Sequence, residues 1–236
     1  MRPKITCHMI TSLDGRLHPS RWSDPVDCRI GDLTDRHYDA TAERLGAQGW
    51  IVGRRTMAEM SAETDAVALL DEPRQRPPHM VERNGRDLAV AVDPSGRLRF
   101  DTGEIGGDQV VLFLSERVPD EVLATFRETG VSYVFAGPDG HDMTAALKML
   151  AEATGVEHLL LEGGGATNGA FLAAGLIDEV STLICPAIDG LAGVPSIFDH
   201  NGEPDSRPTD GQHLRLLACE TLEGGVVWLR HEIVHD

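Results

Sequence analysis

Short apolar runs alternate along the chain with segments of helical period. Runs rich in Val, Ile and Leu and bounded by Gly, Pro or Asp predict strands at 4–12, 49–52, 88–92, 110–114, 132–135, 158–161, 180–187, 214–220 and 226–234. Between them, apolar positions spaced three and four apart predict helices at 35–47, 56–62, 120–129, 143–153 and 167–174. Strands alternating with helices imply an α/β fold whose largely parallel sheet is covered on both faces. No helix separates the last two strands, which predicts an antiparallel pair at one edge. The stretches 71–87 (Pro73, Pro77, Pro78) and 199–212 (Pro204, Pro208) are too rich in proline and polar residues for regular structure. They are expected to be loops on a single domain spanning 1–236.

Composition narrows the function classes. A chain of 236 residues, 41% hydrophobic, can build a core without disulfides or metals, burying roughly 70–75% of its unfolded surface. With 21 Lys and Arg against 38 Asp and Glu, the net charge is −17. Nucleic acids and anionic membranes are held through broad basic surfaces, so neither is an expected partner. Trp22, Trp50 and Trp228 are too dispersed to stack on bases. No apolar run approaches the ~20 residues of a membrane span, and the N-terminus does not read as a signal peptide. Scattered Cys7, Cys28, Cys185 and Cys219 form no CxxC pair, which fits a reduced, cytoplasmic protein. Cys185, in an apolar strand beside Pro186, reads as a core residue.

The charge is uneven. Residues 1–60 hold nine basic and eight acidic groups, leaving 12 and 30 for the rest. An arginine-rich quarter on an acidic body suits a small anionic ligand, because guanidinium forks match phosphate and carboxylate. Solvated surface arginines are the plainer explanation.

Two strand-to-helix turns carry candidate chemistry. Glu162-Gly163-Gly164-Gly165-Ala166-Thr167 follows an apolar strand and opens a helix. Glycines there let a ligand approach the backbone, and the helix N-terminus favours a phosphate. Gly53-Arg54-Arg55-Thr56 repeats the arrangement with two arginines and a hydroxyl, suiting the 2′-phosphate of NADP. The alternatives are a glycine turn needed for packing and a helix start with exposed arginines. His231-Glu232-Ile233-Val234-His235 matches the zinc-protease pattern but continues a β-branched strand. There, positions four apart stand ~13 Å from one another, too far to share one metal. No metal is expected.

These two turns, with Ser12-Leu13-Asp14-Gly15-Arg16 after the first strand, carry a resemblance. SLDGR at 12–16, WIVGRRTM at 50–57 and LLLEGGGATNGAFLAAGLIDEV at 159–180 resemble the reductase domain of riboflavin biosynthesis, in the dihydrofolate-reductase-like superfamily. The resemblance implies a three-layer α/β/α sandwich, NADPH as hydride donor and a homodimer. It places Gly53, Arg54 and Thr56 at the adenosine phosphates, where the arginine turn adds Arg55 as a cofactor candidate, and Gly163, Gly164, Gly165, Ala166 and Thr167 around the pyrophosphate. Asp14, Arg16 and Glu162 would face the substrate end, with Asp14 or Glu162 as catalytic proton relay. Arg16, Arg21, Trp22, Arg36 and Arg44 are the candidate substrate contacts. The implied substrate is a pyrimidine bearing a phosphoribosylamino group, reduced by hydride transfer to C1′ of its opened ribose.

Two departures leave alternatives open. Met60 stands where the family commonly has aspartate, and Arg21-Trp22-Ser23-Asp24 departs from the usual substrate-loop pattern. A reductase of dihydrofolate or another pterin, or a dinucleotide-binding module without turnover, are those alternatives. The zinc deaminase that often accompanies this reductase has no counterpart here, since no HxE…PCxxC set occurs.

Overall fold

Each apolar run becomes a strand because its alternate side chains find partners on both faces of a sheet. The computed structural model describes residues 1–203 and 205–236. In chain order the elements are β1 (Lys4–Thr11), α1 (Ile30–Leu45), β2 (Gly49–Gly53), α2 (Arg54–Met57), β3 (Ala62–Glu63), β4 (Leu88–Val92), β5 (Leu98–Arg99), β6 (Glu104–Ile105), β7 (Asp108–Leu114), α3 (Asp120–Glu128), β8 (Ser132–Phe135), α4 (Met143–Thr154), β9 (His158–Leu161), α5 (Gly165–Ala173), β10 (Glu179–Ile184), β11 (Gln212–Thr221) and β12 (Val227–His235). This is the mixed α/β fold with a mostly parallel sheet that the pattern predicts.

The chain forms two compact units. One comprises Met1–Pro3 and Gln48–Leu159, the other Lys4–Ala47 and Leu160–Asp236. In the first, β2, β4, β7 and β8 pair in parallel, and β6 returns antiparallel on β7. Its core runs from Val52 and Met57 through Ala89, Val110, Leu112, Leu123 and Phe126 to Phe135. In the second, β1 and β10 are parallel, while β12 lies antiparallel between β10 and β11. The C-terminal antiparallel pair is therefore present. Trp22, Ile30, Leu33, Leu183, Cys185, Ala187, Val226 and Trp228 pack as this unit's core cluster.

Two helix boundaries differ markedly from the sequence pattern, for identifiable reasons. Helix α1 starts at Ile30 rather than 35, because Ile30 and Leu33 are buried and the Asp24 carboxylate accepts the Ile30 N–H at 2.9 Å. That cap comes from six residues away, outside the usual N-cap position. Helix α2 stops after one turn: the Ser61 hydroxyl donates to the Met57 carbonyl, and Ala62–Glu63 leave to pair with β5. The last predicted strand is β12, so the HExxH segment is extended, with His231 opposite Val180. The stretch 71–87 is largely irregular, as expected. In the second irregular stretch, Pro204 lies outside the described residues. Among the described residues no helix is long and apolar enough to cross a membrane.

Candidate cofactor and substrate site

In the first unit β2 and β4 are parallel neighbours, with Gly53 opposite Val92. The turns after their carboxyl ends are therefore adjacent, the position where open α/β sheets take ligands. After β2 come Arg54, Arg55 and Thr56. Because α2 is a single turn, the attraction for an anion there rests on side chains rather than on a helix dipole. After β4, buried Asp93 fixes the turn by accepting the Leu98 N–H at 2.8 Å and the Ser95 hydroxyl at 3.1 Å. Arg54 and Arg97 converge on one carboxylate, Glu63, with Arg97 at 2.7 Å. Two guanidiniums against one carboxylate leave a positive surplus, and exposed Arg55 adds to it. No sequence motif contains Arg97, since only strand pairing brings it to Glu63.

In the second unit the chain leaves β9 through Glu162 and Gly163 and enters α5 at Gly165. Gly164 caps the helix at φ 26° and ψ 146°, a conformation that glycine adopts without strain. Thr167 and Asn168 donate their N–H groups to the Gly164 carbonyl at 3.0 and 3.1 Å. Ala166 is exposed and Thr167 half-buried. Two glycines of the run serve the protein's own packing. A Cβ at Gly165 would lie 2.4 Å from the Ser196 carbonyl oxygen, and one at Gly169 would lie 2.7 Å from that of Asp199. The missing Cβ of Gly165 thus makes room for the chain itself.

Glu162, at the start of this turn, is half-buried. Burial pushes its carboxyl up to about 7, against the opposing hydrogen bond from Tyr38, and the negative charge of Asp39 adds to the rise. Tyr38 is held in place by donating its hydroxyl to the His8 carbonyl at 3.1 Å, with the two rings 4.8 Å apart. Burial drives the His8 imidazole down to about 4, so it is neutral, with Nδ1 2.9 Å from the Ser181 hydroxyl. A cleft of about 250 Å³ borders Tyr38, lined also by Ile10, Thr34, Asp35 and Asp39. No local signal in the sequence marks Tyr38, Asp39 or His8.

Asp14 is differently placed. Its carboxylate accepts the Ser12 hydroxyl at 2.7 Å and the N–H groups of Gly190 and Asp189 at 2.9 and 3.1 Å, which lowers its pKa to about 2. It is an anionic clamp between two loops and carries no proton near neutral pH. Arg16 donates through Nη1 to the Val194 carbonyl at 2.8 Å, while its Nε–H is buried with no acceptor among the described residues.

The other candidate arginines do not gather on one ligand. Arg21 pairs with Asp189 at 2.9 Å, Arg36 with Glu223 at 2.5 Å and Arg44 with Glu220 at 2.7 Å. Arg44 also lies 4.3 Å over the Trp228 ring. Arg44 therefore ties α1 to β11, and Arg36 ties it to the turn between β11 and β12. Trp22 is 6% exposed and belongs to the core. Cys185 is buried as expected, and burial raises its thiol to about 11.

A mostly parallel α/β sheet with glycine and arginine turns at strand ends and a carboxyl raised toward neutrality is an arrangement suited to a reductase. The chain belongs to the RibD C-terminal domain family, whose profile matches residues 3–228, across both units. It is 31% identical over 177 residues to the 2,5-diamino-6-ribosylamino-4(3H)-pyrimidinone 5′-phosphate reductase of Methanothermobacter thermautotrophicus, covering 71% of this chain and 80% of that one. The Archaeoglobus fulgidus protein of the same name is 26% identical over 206 residues, covering 84% and 87%. Among solved structures, a pyrimidine reductase-like protein of Corynebacterium diphtheriae superposes with a TM-score of 0.67 at 19% identity, covering 99% of this chain and 93% of that one. Acinetobacter baumannii RibD gives 0.59 at 18% identity, with 99% and 59% covered.

Proposed function

We propose that this protein is an NADPH-dependent reductase of a phosphoribosylamino-pyrimidine, of the kind that acts in riboflavin biosynthesis. The observation that carries the reading is Glu162. A carboxyl raised to about 7 beside a phosphate-receptive glycine turn is a proton donor at physiological pH. NADPH, when bound, would supply the hydride for C1′ of the opened ribose, and Glu162 would donate the matching proton to the nitrogen of that C=N bond. The Tyr38 hydroxyl lies beside the Glu162 carboxyl. Proton duty falls to Glu162 rather than Asp14, whose carboxylate is already spent on three donors.

For the cofactor, Gly163, Gly164 and the N–H groups of Gly165, Ala166 and Thr167 would hold the pyrophosphate. Arg54, Arg55, Thr56 and Arg97 would hold the 2′-phosphate. Removing Arg54 and Arg55 together (Arg54→Ala, Arg55→Ala) weakens NADPH binding about ten- to a hundredfold, the worth of lost charge-assisted contacts at about 1.5–3 kcal/mol. NADH binding stays unchanged. Equal wild-type dissociation constants for the two cofactors would remove the 2′-phosphate assignment.

For the substrate, half-buried Arg16 is the arginine assigned to the sugar phosphate, since Arg36 and Arg44 already pair with carboxylates. Arg16→Ala raises KM about tenfold, while Arg36→Ala and Arg44→Ala leave it unchanged, because those side chains are committed elsewhere. A rise with Arg44→Ala and none with Arg16→Ala would reverse that ranking. Exposed Leu214, Leu216 and Leu217 on edge strand β11 favour a homodimer covering that edge. The four free cysteines suit a cytoplasmic setting.

The deciding assay follows NADPH oxidation with phosphoribosylamino-pyrimidines and, separately, dihydropterins. Turnover with the pyrimidines supports the proposal. Turnover with dihydropterins alone, or saturable NADPH binding with no oxidation by either class, overturns it.

A further inference from the structure

One surface segment, Val194–Asp199, touches both functional turns of the second unit. At one end it holds the Ser12–Arg16 turn. Leu17 donates its N–H to the Pro195 carbonyl at 3.1 Å, Arg16 donates to that of Val194 at 2.8 Å, and Arg16 and Ser196 form an antiparallel bridge. At the other end it lies across the first turns of α5. The Asp199 N–H donates to the Gly165 carbonyl at 2.9 Å, and the Asn168 amide donates to the Ile197 carbonyl at 3.0 Å. The close approach requires glycine at 165 and 169, where any Cβ would sit within 2.8 Å of strap atoms.

Asp199 locks this strap. Its carboxylate accepts both the hydroxyl and the N–H of Ser196, at 2.8 and 3.1 Å, and so closes the segment on itself. One oxygen lies 2.5 Å from where a Gly165 Cβ would be. A carboxylate beside a helix N-terminus is drawn to that helix's free N–H groups. Here its hydrogen bonds go to Ser196 rather than to the first N–H groups of α5.

We propose that Asp199 is a positioning residue, holding the strap so that the α5 glycine turn keeps its anion-receptive shape. Through the strap, the glycine turn and the Arg16 turn report to one another. The inference rests on the proposed NADPH-dependent reduction. It adds that the affinities for cofactor and substrate are coupled through residues 194–199, none of which the sequence motifs include.

The test measures the NADPH dissociation constant of the full chain, alone and with 2,5-diamino-6-ribosylamino-4(3H)-pyrimidinone 5′-phosphate present. Wild type, Asp199→Ala, Asp199→Asn and Ser196→Ala are compared. Asp199→Ala is expected to weaken NADPH on the order of tenfold, as loss of two hydrogen bonds to a charged group implies. It also abolishes any change in NADPH affinity caused by the pyrimidine. Asp199→Asn, whose amide oxygen still accepts from Ser196, stays within about threefold of wild type, and Ser196→Ala falls between. A lower melting temperature with unchanged NADPH affinity and coupling in Asp199→Ala would reduce Asp199 to a structural role and overturn the inference. If Asp199→Ala does not fold, Ser196→Ala decides by the same two readings. Failure of wild type to bind NADPH would instead overturn the underlying function.

Discussion

On its proposed role as proton donor, replacing Glu162 with glutamine is expected to lower kcat by two to four orders of magnitude and to raise the melting temperature at pH 8. The first effect would be the loss of that donor. Glutamine keeps the shape, so the substitution removes the acid and little else. The second effect follows from the same displaced carboxyl, at about 7 in the folded chain against an ordinary 4.5. Between those values the folded protein binds a proton that the unfolded chain has released. Stability therefore falls as pH rises through that window, and the whole cost is present above about pH 7. Allowing for partial exposure, glutamine recovers on the order of 1–3 kcal/mol there. Activity has the matching sign: the protonated form donates, so wild-type kcat declines as pH rises past about 7. Calorimetric melts and pH–rate profiles of both proteins check this. A wild-type rate that climbs through pH 7, or a glutamine variant keeping a tenth of the activity, would assign the proton to another group.

On the proposed cofactor assignment, replacing Gly164 with valine is expected to abolish NADPH binding while leaving the second unit folded. At φ 26° the backbone lies where L-residues are strained, and a β-branched side chain adds bulk at the mouth of the turn. The strain costs on the order of 1–3 kcal/mol, which a chain of this size tolerates. In wild type, NADPH at a hundred times its dissociation constant stabilises the fold by about 2.7 kcal/mol. The variant shows no such increment in thermal melting. Gly164→Ala, strained but less bulky, separates the two contributions and is expected to keep part of it. A valine variant with the full increment would mean that the phosphate binds elsewhere.

Glu162 and Gly164 both stand out in the amino-acid sequence, since each sits inside a short pattern at a strand-to-helix junction. Most elements are legible for a similar reason. Periodicity reports which positions a local segment must bury, and β7, α3, α4, β9 and α5 lie close to where it places them. The exceptions have non-local causes: the Asp24 cap that starts α1 early, and the β3–β5 pairing that ends α2 after one turn.

The chemistry divides along the same line. The sequence by itself determined the α/β alternation, the glycine turn with its glutamate, the arginines after β2 and the extended HExxH segment. These follow from neighbours within a few residues. Only the tertiary structure decided that Gly165 and Gly169 yield space to the 194–199 strap, that Arg97 joins Arg54 at Glu63, and that Arg36 and Arg44 are spent on C-terminal carboxylates. It also set Asp14 near 2 and Glu162 near 7. The physical reason is that a carboxyl's proton affinity depends on burial and on the donors around it. Folding brings those groups together from distant parts of the chain, and their spacing in sequence does not record it.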